Sequence, residues 1–181
     1  MLGTLLKKKL NAERLANVFI NSLLEVTEIG FEDVSQLIRE DNAFISHPLI
    51  DEGVSDHFTM IVLVGNLRYL EDYFDAEDAR EVKNLIIEKL SRIYDMRRHD
   101  FKNVVDHYDQ LISRVNHPSK NTLYGMSKAL FHKLKLNDYQ ESYFKSMKTP
   151  NPLFLKRMDD VMSHFLWDWD ELFRKYRFSS N

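Results

Sequence analysis

The chain contains no cysteine. That excludes disulfides, thiol nucleophiles and thiolate metal ligands together, and it fits a reducing cytoplasm. Glycine and proline are nearly as scarce, at five and four in 181 residues. Folds with many tight turns draw heavily on both, so a β-rich architecture is disfavoured. Five glycines placed singly also cannot build a phosphate-binding loop or a dinucleotide fingerprint. No HExxH and no GxSxG occurs, which leaves metalloprotease and nucleophile-elbow chemistry without a carrier. No apolar run approaches the roughly 20 residues that span a bilayer. The first residues, MLGTLLKKKLNAERLANVF, carry lysines but no long apolar stretch followed by small residues, so they do not read as a secretory signal. The formal charge is only −3, which gives no general attraction toward nucleic acid.

What is present is a chain for burying a core. Hydrophobic residues make up 44% and charged residues 29%, the balance of an ordinary globular protein. A chain of this length closes a core without a metal or disulfide staple. Leu, Lys, Glu, Asp and Arg dominate, and these favour helices. Residues 1–181 are therefore expected to form one all-α domain, an antiparallel helical bundle of about seven helices. Residues 1–10 form a loosely attached amphipathic segment (Leu2, Leu5, Leu6 and Leu10 around Lys7 to Lys9), whose only membrane role would be peripheral contact.

The most apolar stretch is FTMIVLVGNLRYLEDYF, Phe58 to Phe74. Met60, Leu63, Val64, Leu67, Leu70 and Phe74 recur at helical spacing, and Phe58, Ile61, Val62, Tyr69 and Tyr73 fill most of the remaining circumference. A helix apolar nearly all round belongs in a core. It is expected over about 56–74, capped by Ser55, with Gly65 marking the close approach of a neighbour.

Before it, Asn11 caps a helix that runs to Gly30, a natural C′ residue, and a short helix follows to Glu40. A loop around Pro48 and Gly53 comes next, anchored by Phe44, Ile45, Leu49 and Ile50. After the core helix, Asp75 and Asp78 resemble a capping box. Further helices are expected over Ala79–Tyr94, Phe101–Val115 and Leu123–Leu134. Asn137 caps a short one through Met147. Pro152 opens a long C-terminal helix near 152–177, with Leu155, Met158, Met162, Phe165, Leu166, Trp169, Phe173 and Tyr176 on one stripe.

Four groups of residues are candidates for function. His57, Arg68 and Glu71 form a narrow polar line along the core helix. They would make an inter-helix pocket for a small molecule or an enzyme; the plainer alternative is a solvated seam. Asp95 with His99 and Asp160 with His164 lie four apart, with Asp106 and His107 close in sequence, but the pattern is not that of a known bundle metal site. No metal and no cofactor is expected. Arg92, Arg97, Arg98 and Lys102, and likewise Lys145, Lys148, Lys156 and Arg157, are basic clusters interleaved with acid, better explained as solvated faces than as a nucleic-acid surface. In WDWD, Trp169 joins the core stripe and Trp167 points elsewhere, toward His164, Glu171 and Arg174. It would suit a protein interface, or else lie across an adjacent helix. The leading expectation is a cytoplasmic, non-enzymatic helical module that binds a protein partner or a second copy of itself.

Overall fold

The computed structural model describes residues 7–51 and 53–179, and in it the chain is predominantly helical. The first helix, α1 (Ala12–Glu40), starts where Asn11 accepts a hydrogen bond from the Arg14 amide at 2.9 Å. It does not stop at Gly30. It continues for 29 residues, about 43 Å at 1.5 Å per residue, and the expected pair of helices is one. Gly30 serves a different end from the expected C′ role. A Cβ there would lie 2.5 Å from the ring of Phe165, so the glycine is a slot for that ring rather than a terminator.

The loop from Asp41 to Gly53 is tied down by Asp41. Its carboxylate takes a two-pronged ion pair from Arg157, each contact 2.6 Å, and accepts the Ala43 amide at 2.8 Å. Phe44 packs on Phe154 and Pro48 is buried. Ile45 and Leu49, expected as anchors, are 73% and 76% exposed.

The core helix is α2 (Val54–Arg68), followed by a tightened turn at Tyr69 and the single turn α3 (Leu70–Tyr73). Phe58, Ile61, Val62, Leu63 and Val64 are essentially inaccessible. Each such side chain contributes about 1.5–3 kcal/mol by burial. Two boundaries differ from expectation. Gly53, not Ser55, precedes the first turn, and the helix does not run unbroken to Phe74. The Tyr69 turn sends Leu70 inward and leaves Glu71, Asp72 and Tyr73 exposed. Apolar spacing continues across such a turn, so periodicity alone does not reveal it. Gly65 is where α6 (Thr122–Lys133) comes close: a Cβ at Gly65 would collide with the buried side chain of Met126.

Around α2 stand α1, α5 (Arg98–Asn116) and α6, while α4 (Ala76–Ile93) packs on α1 and α5, and α8 (Pro152–Met162) packs on α6. Asp75 caps α4 by accepting from the Glu77 and Asp78 amides, and Asn121 caps α6. A tight turn with Asp95 in the left-handed region joins α4 to α5. A 3₁₀ turn (Leu136–Tyr139) and α7 (Ser142–Met147) lead to α8, with Pro152 in its first turn.

The expected long C-terminal helix is broken. After α8 come a 3₁₀ turn over Ser163–Phe165, an extended stretch, then α9 (Trp169–Lys175). Asp168 caps α9 through the Glu171 amide at 2.7 Å. Tyr176–Phe178 is a short strand, β2. It pairs in parallel with β1 (Lys8–Leu10), so that Lys8 meets Tyr176 and Leu10 meets Phe178. The amphipathic segment expected over 1–10 is strand at 8–10, where ladder bonds to β2 tie it to the end of the chain's last helix. Residues 1–6 lie outside the described residues.

Candidate functional site

The polar line of α2 divides. His57 and Arg68 both face α5 but reach different partners there. The His57 Nδ1 meets the Tyr108 hydroxyl at 2.5 Å, and the phenol donates when the neutral imidazole carries its proton on Nε2. Burial pushes the His57 pKa down, and the Lys133 ammonium pushes it further the same way, against a smaller opposing pull from Asp56. Arg68 donates from Nε to Asp109 at 2.7 Å and from Nη2 to the Asp109 carbonyl and the Ser113 hydroxyl. Glu71 is exposed on α3 and is not paired with Arg68.

Arg68 and Glu71 do share a space from which His57 is absent. They line an open cleft of about 640 Å³ between the end of α2, α3, α4 and the start of α6. Leu67, Leu70, Ala76 and Ala79 form apolar wall, and Arg80 and Lys83 project from α4. The two alanines leave the room that larger side chains would fill. Arg80 and Lys83 carry no distinguishing mark in the sequence, since a cation on an amphipathic helix is ordinary. Arg80 follows Ala76 by four residues, Lys83 follows Ala79 by four and Arg80 by three, and that helical spacing is the signal that puts them on one wall.

The second place is a groove. α1 turns Val18, Ser22, Val26 and Ile29 outward, with Val18, Val26 and Ile29 exposed by 40%, 39% and 72%. Facing this stripe is the broken segment 164–168. Two adjoining hollows of about 210 and 380 Å³ lie between them and share Ser22, Trp167 and Asp168. Trp167 is half-buried. Its ring packs on Phe19 and Trp169, with centroids 5.2 and 6.0 Å away. These are its aromatic neighbours, and of the residues expected near it His164 and Glu171 line the two hollows with it.

The groove exists because of Asn66. This buried amide donates to the Val62 and Phe165 carbonyls, each at 2.9 Å, and accepts the Trp167 amide at 2.7 Å. The backbone groups freed where the C-terminal helix breaks are thus satisfied from the core helix, which is what holds Trp167 beside α1. In sequence Asn66 only interrupts an apolar run.

The histidine and carboxylate pairs do not converge. Asp95 lies in the turn before α5 and His99 inside it, contacting Asn103 at 3.2 Å, while Asp160 and His164 fall on either side of the end of α8. Among the described residues, no three acidic or histidine side chains are placed to hold a metal. No described helix is long and apolar enough to cross a membrane. His132 on α6 has its pKa lowered, first by burial and then by Lys128 and Arg114. Asp159 on α8 has its pKa raised by burial, with Ser127 opposing that rise. The chain matches no protein-family model, no characterised protein and no solved structure.

Proposed function

We propose that this domain is a non-enzymatic helical interaction module that docks a protein partner along the groove between α1 and residues 164–168, in a cytoplasmic setting with which a thiol-free chain is compatible. The observation that carries this is Val26, exposed in the wall of the hollow that holds the half-buried Trp167 ring, with Val18 and Ile29 exposed on the same face of α1. Isolated exposed aliphatics are ordinary, but three on one helix face, one of them in the wall of a hollow with aromatic walls, match the anatomy of an anchor pocket flanked by apolar surface. A partner side chain would enter against Trp167 and Phe19, and Ser22 and Asp168 would offer polar contacts at the edge.

The test uses a rim residue rather than Trp167, whose ring is part of the packing. Val26→Asp places a charge in the groove at an exposed position and should change unfolding free energy by less than about 0.5 kcal/mol. Wild-type protein is expected to retain a partner from its native host, or to self-associate in light scattering, and Val26→Asp to lose that association. Equal association by a folded Val26→Asp variant defeats the proposal.

A further inference from the structure

The cleft beside Arg68 and Glu71 is separate from the groove, and its chemistry differs. We infer that it is a binding site for a small molecule with an oxyanion head group, a phosphate or a carboxylate, held by Arg68, Arg80 and Lys83. At about 640 Å³ it has the volume of a ligand site, and one wall is apolar, so it suits a small organic molecule better than a bare ion.

The cations are of two kinds. Arg68 is fixed: Asp109 and Ser113 hold Nε and Nη2, while Nη1 has no hydrogen bond among the described residues. A guanidinium braced on one edge presents its other edge in a set direction, the arrangement suited to planar recognition of an oxyanion. Arg80 and Lys83 are uncommitted. Among the described residues neither has a carboxylate within ion-pair distance. Lys83 is half-buried in the wall all the same, and a partly covered ammonium without a counter-charge is a feature that an anionic ligand would complete.

Two carboxylates also line the space. Asp109 is engaged by Arg68 and offers little repulsion. Glu71 lies exposed on α3 and has no basic partner within ion-pair distance among the described residues. It disfavours a polyanion and limits the ligand to one compact head group near α4. A nucleic-acid backbone, with charge at every unit, is the wrong occupant on that ground.

The experiment is a pair of titrations of the full chain, with inorganic phosphate and with acetate, at fixed ionic strength, followed by amide NMR. Saturable shifts are expected around residues 68–72, 76–83 and 122, and the tighter-binding probe identifies the preferred head group. Arg80→Gln/Lys83→Gln, which removes no ion pair among the described residues and should keep the wild-type melting temperature, is expected to weaken binding at least tenfold. Arg68→Lys tests the braced guanidinium apart from its charge and should weaken binding by a smaller factor. The inference is overturned if neither probe saturates, if the double variant binds as tightly as wild type, or if the shifts centre on Arg114, Lys128 and His132 instead.

Discussion

The groove and the cleft are both hollows between helices, but their polar groups are employed in opposite ways. Beneath the groove, Asn66 uses both N–H groups and its carbonyl on the chain's own backbone. Its amide is spent on the fold, and what the groove offers outward is apolar area around Trp167 with Ser22 and Asp168 at the edge. In the cleft, Arg68 is half engaged while Arg80 and Lys83 have no ion-pair partner among the described residues. Polar groups consumed by the fold specify a shape, and polar groups left free specify a chemistry. The two hollows therefore suit different kinds of occupant, a protein surface and a small anion.

The largest effect should come from removing the clamp. Asn66→Ala leaves the Phe165 carbonyl and the Trp167 amide without partners in a buried setting. At about 1–3 kcal/mol for each unsatisfied group, urea unfolding should show a loss of about 3 kcal/mol. Tryptophan emission should shift to the red as residues 164–168 detach, while anion binding at the cleft is unchanged. A variant as stable as wild type, with the same emission, would show that the groove does not depend on Asn66.

A smaller effect separates the two kinds of cation. Arg68→Ala removes a partly exposed ion pair with Asp109 and its hydrogen bonds, and should cost about 1 kcal/mol after allowance for solvent screening. Arg80→Ala should cost less than about 0.5 kcal/mol. If the two cost the same in thermal unfolding, the distinction between fixed and free cations fails.

The smallest effect is a pH dependence away from both hollows. His57 and His132 have folded pKa values below their ordinary 6.5. The unfolded chain therefore binds more protons over the interval between. Their stability contribution is complete above about pH 6.5 and is lost as pH falls through the lower folded values. Unfolding free energy measured from pH 7.5 to 5 should decline. His57→Gln/His132→Gln should flatten the decline, and an undiminished slope in that variant would contradict it.

Much of this architecture can be read from local chemistry. The all-round apolar stretch marks α2 as the buried rod, Asn11 and Asp75 mark helix starts by their capping oxygens, and Pro152 marks the start of α8. What sequence alone misses is set by distant contacts. Gly30 resembles a terminator until Phe165 is seen lying against it. The apolar stripe from Leu155 to Tyr176 is compatible with one helix because both halves bury the same face, and the break between them is sustained by an amide 101 residues away in sequence from Trp167. Half of the cleft is legible as well: Arg68 and Glu71 project from neighbouring turns of one apolar stretch. Arg80, Lys83 and the space between them depend on how α4 lies against α3. His57, at nearly the same helical angle as Arg68, is drawn off by Tyr108.

The short pairing of β1 with β2 has a mechanical consequence. Because the strands are parallel, a pull on the segment entering Lys8 and an opposite pull on the segment leaving Phe178 slide one strand along the other. The ladder bonds are then loaded together, in shear, rather than opened one at a time like a zipper. The three-residue pair also clips α9 to the start of α1, so tension through the two ends of the chain must break it before it can reach the helices. Resistance to such a pull is a matter of rate, not of equilibrium stability. In this fold it would rest on the few hydrogen bonds where the first strand meets the last.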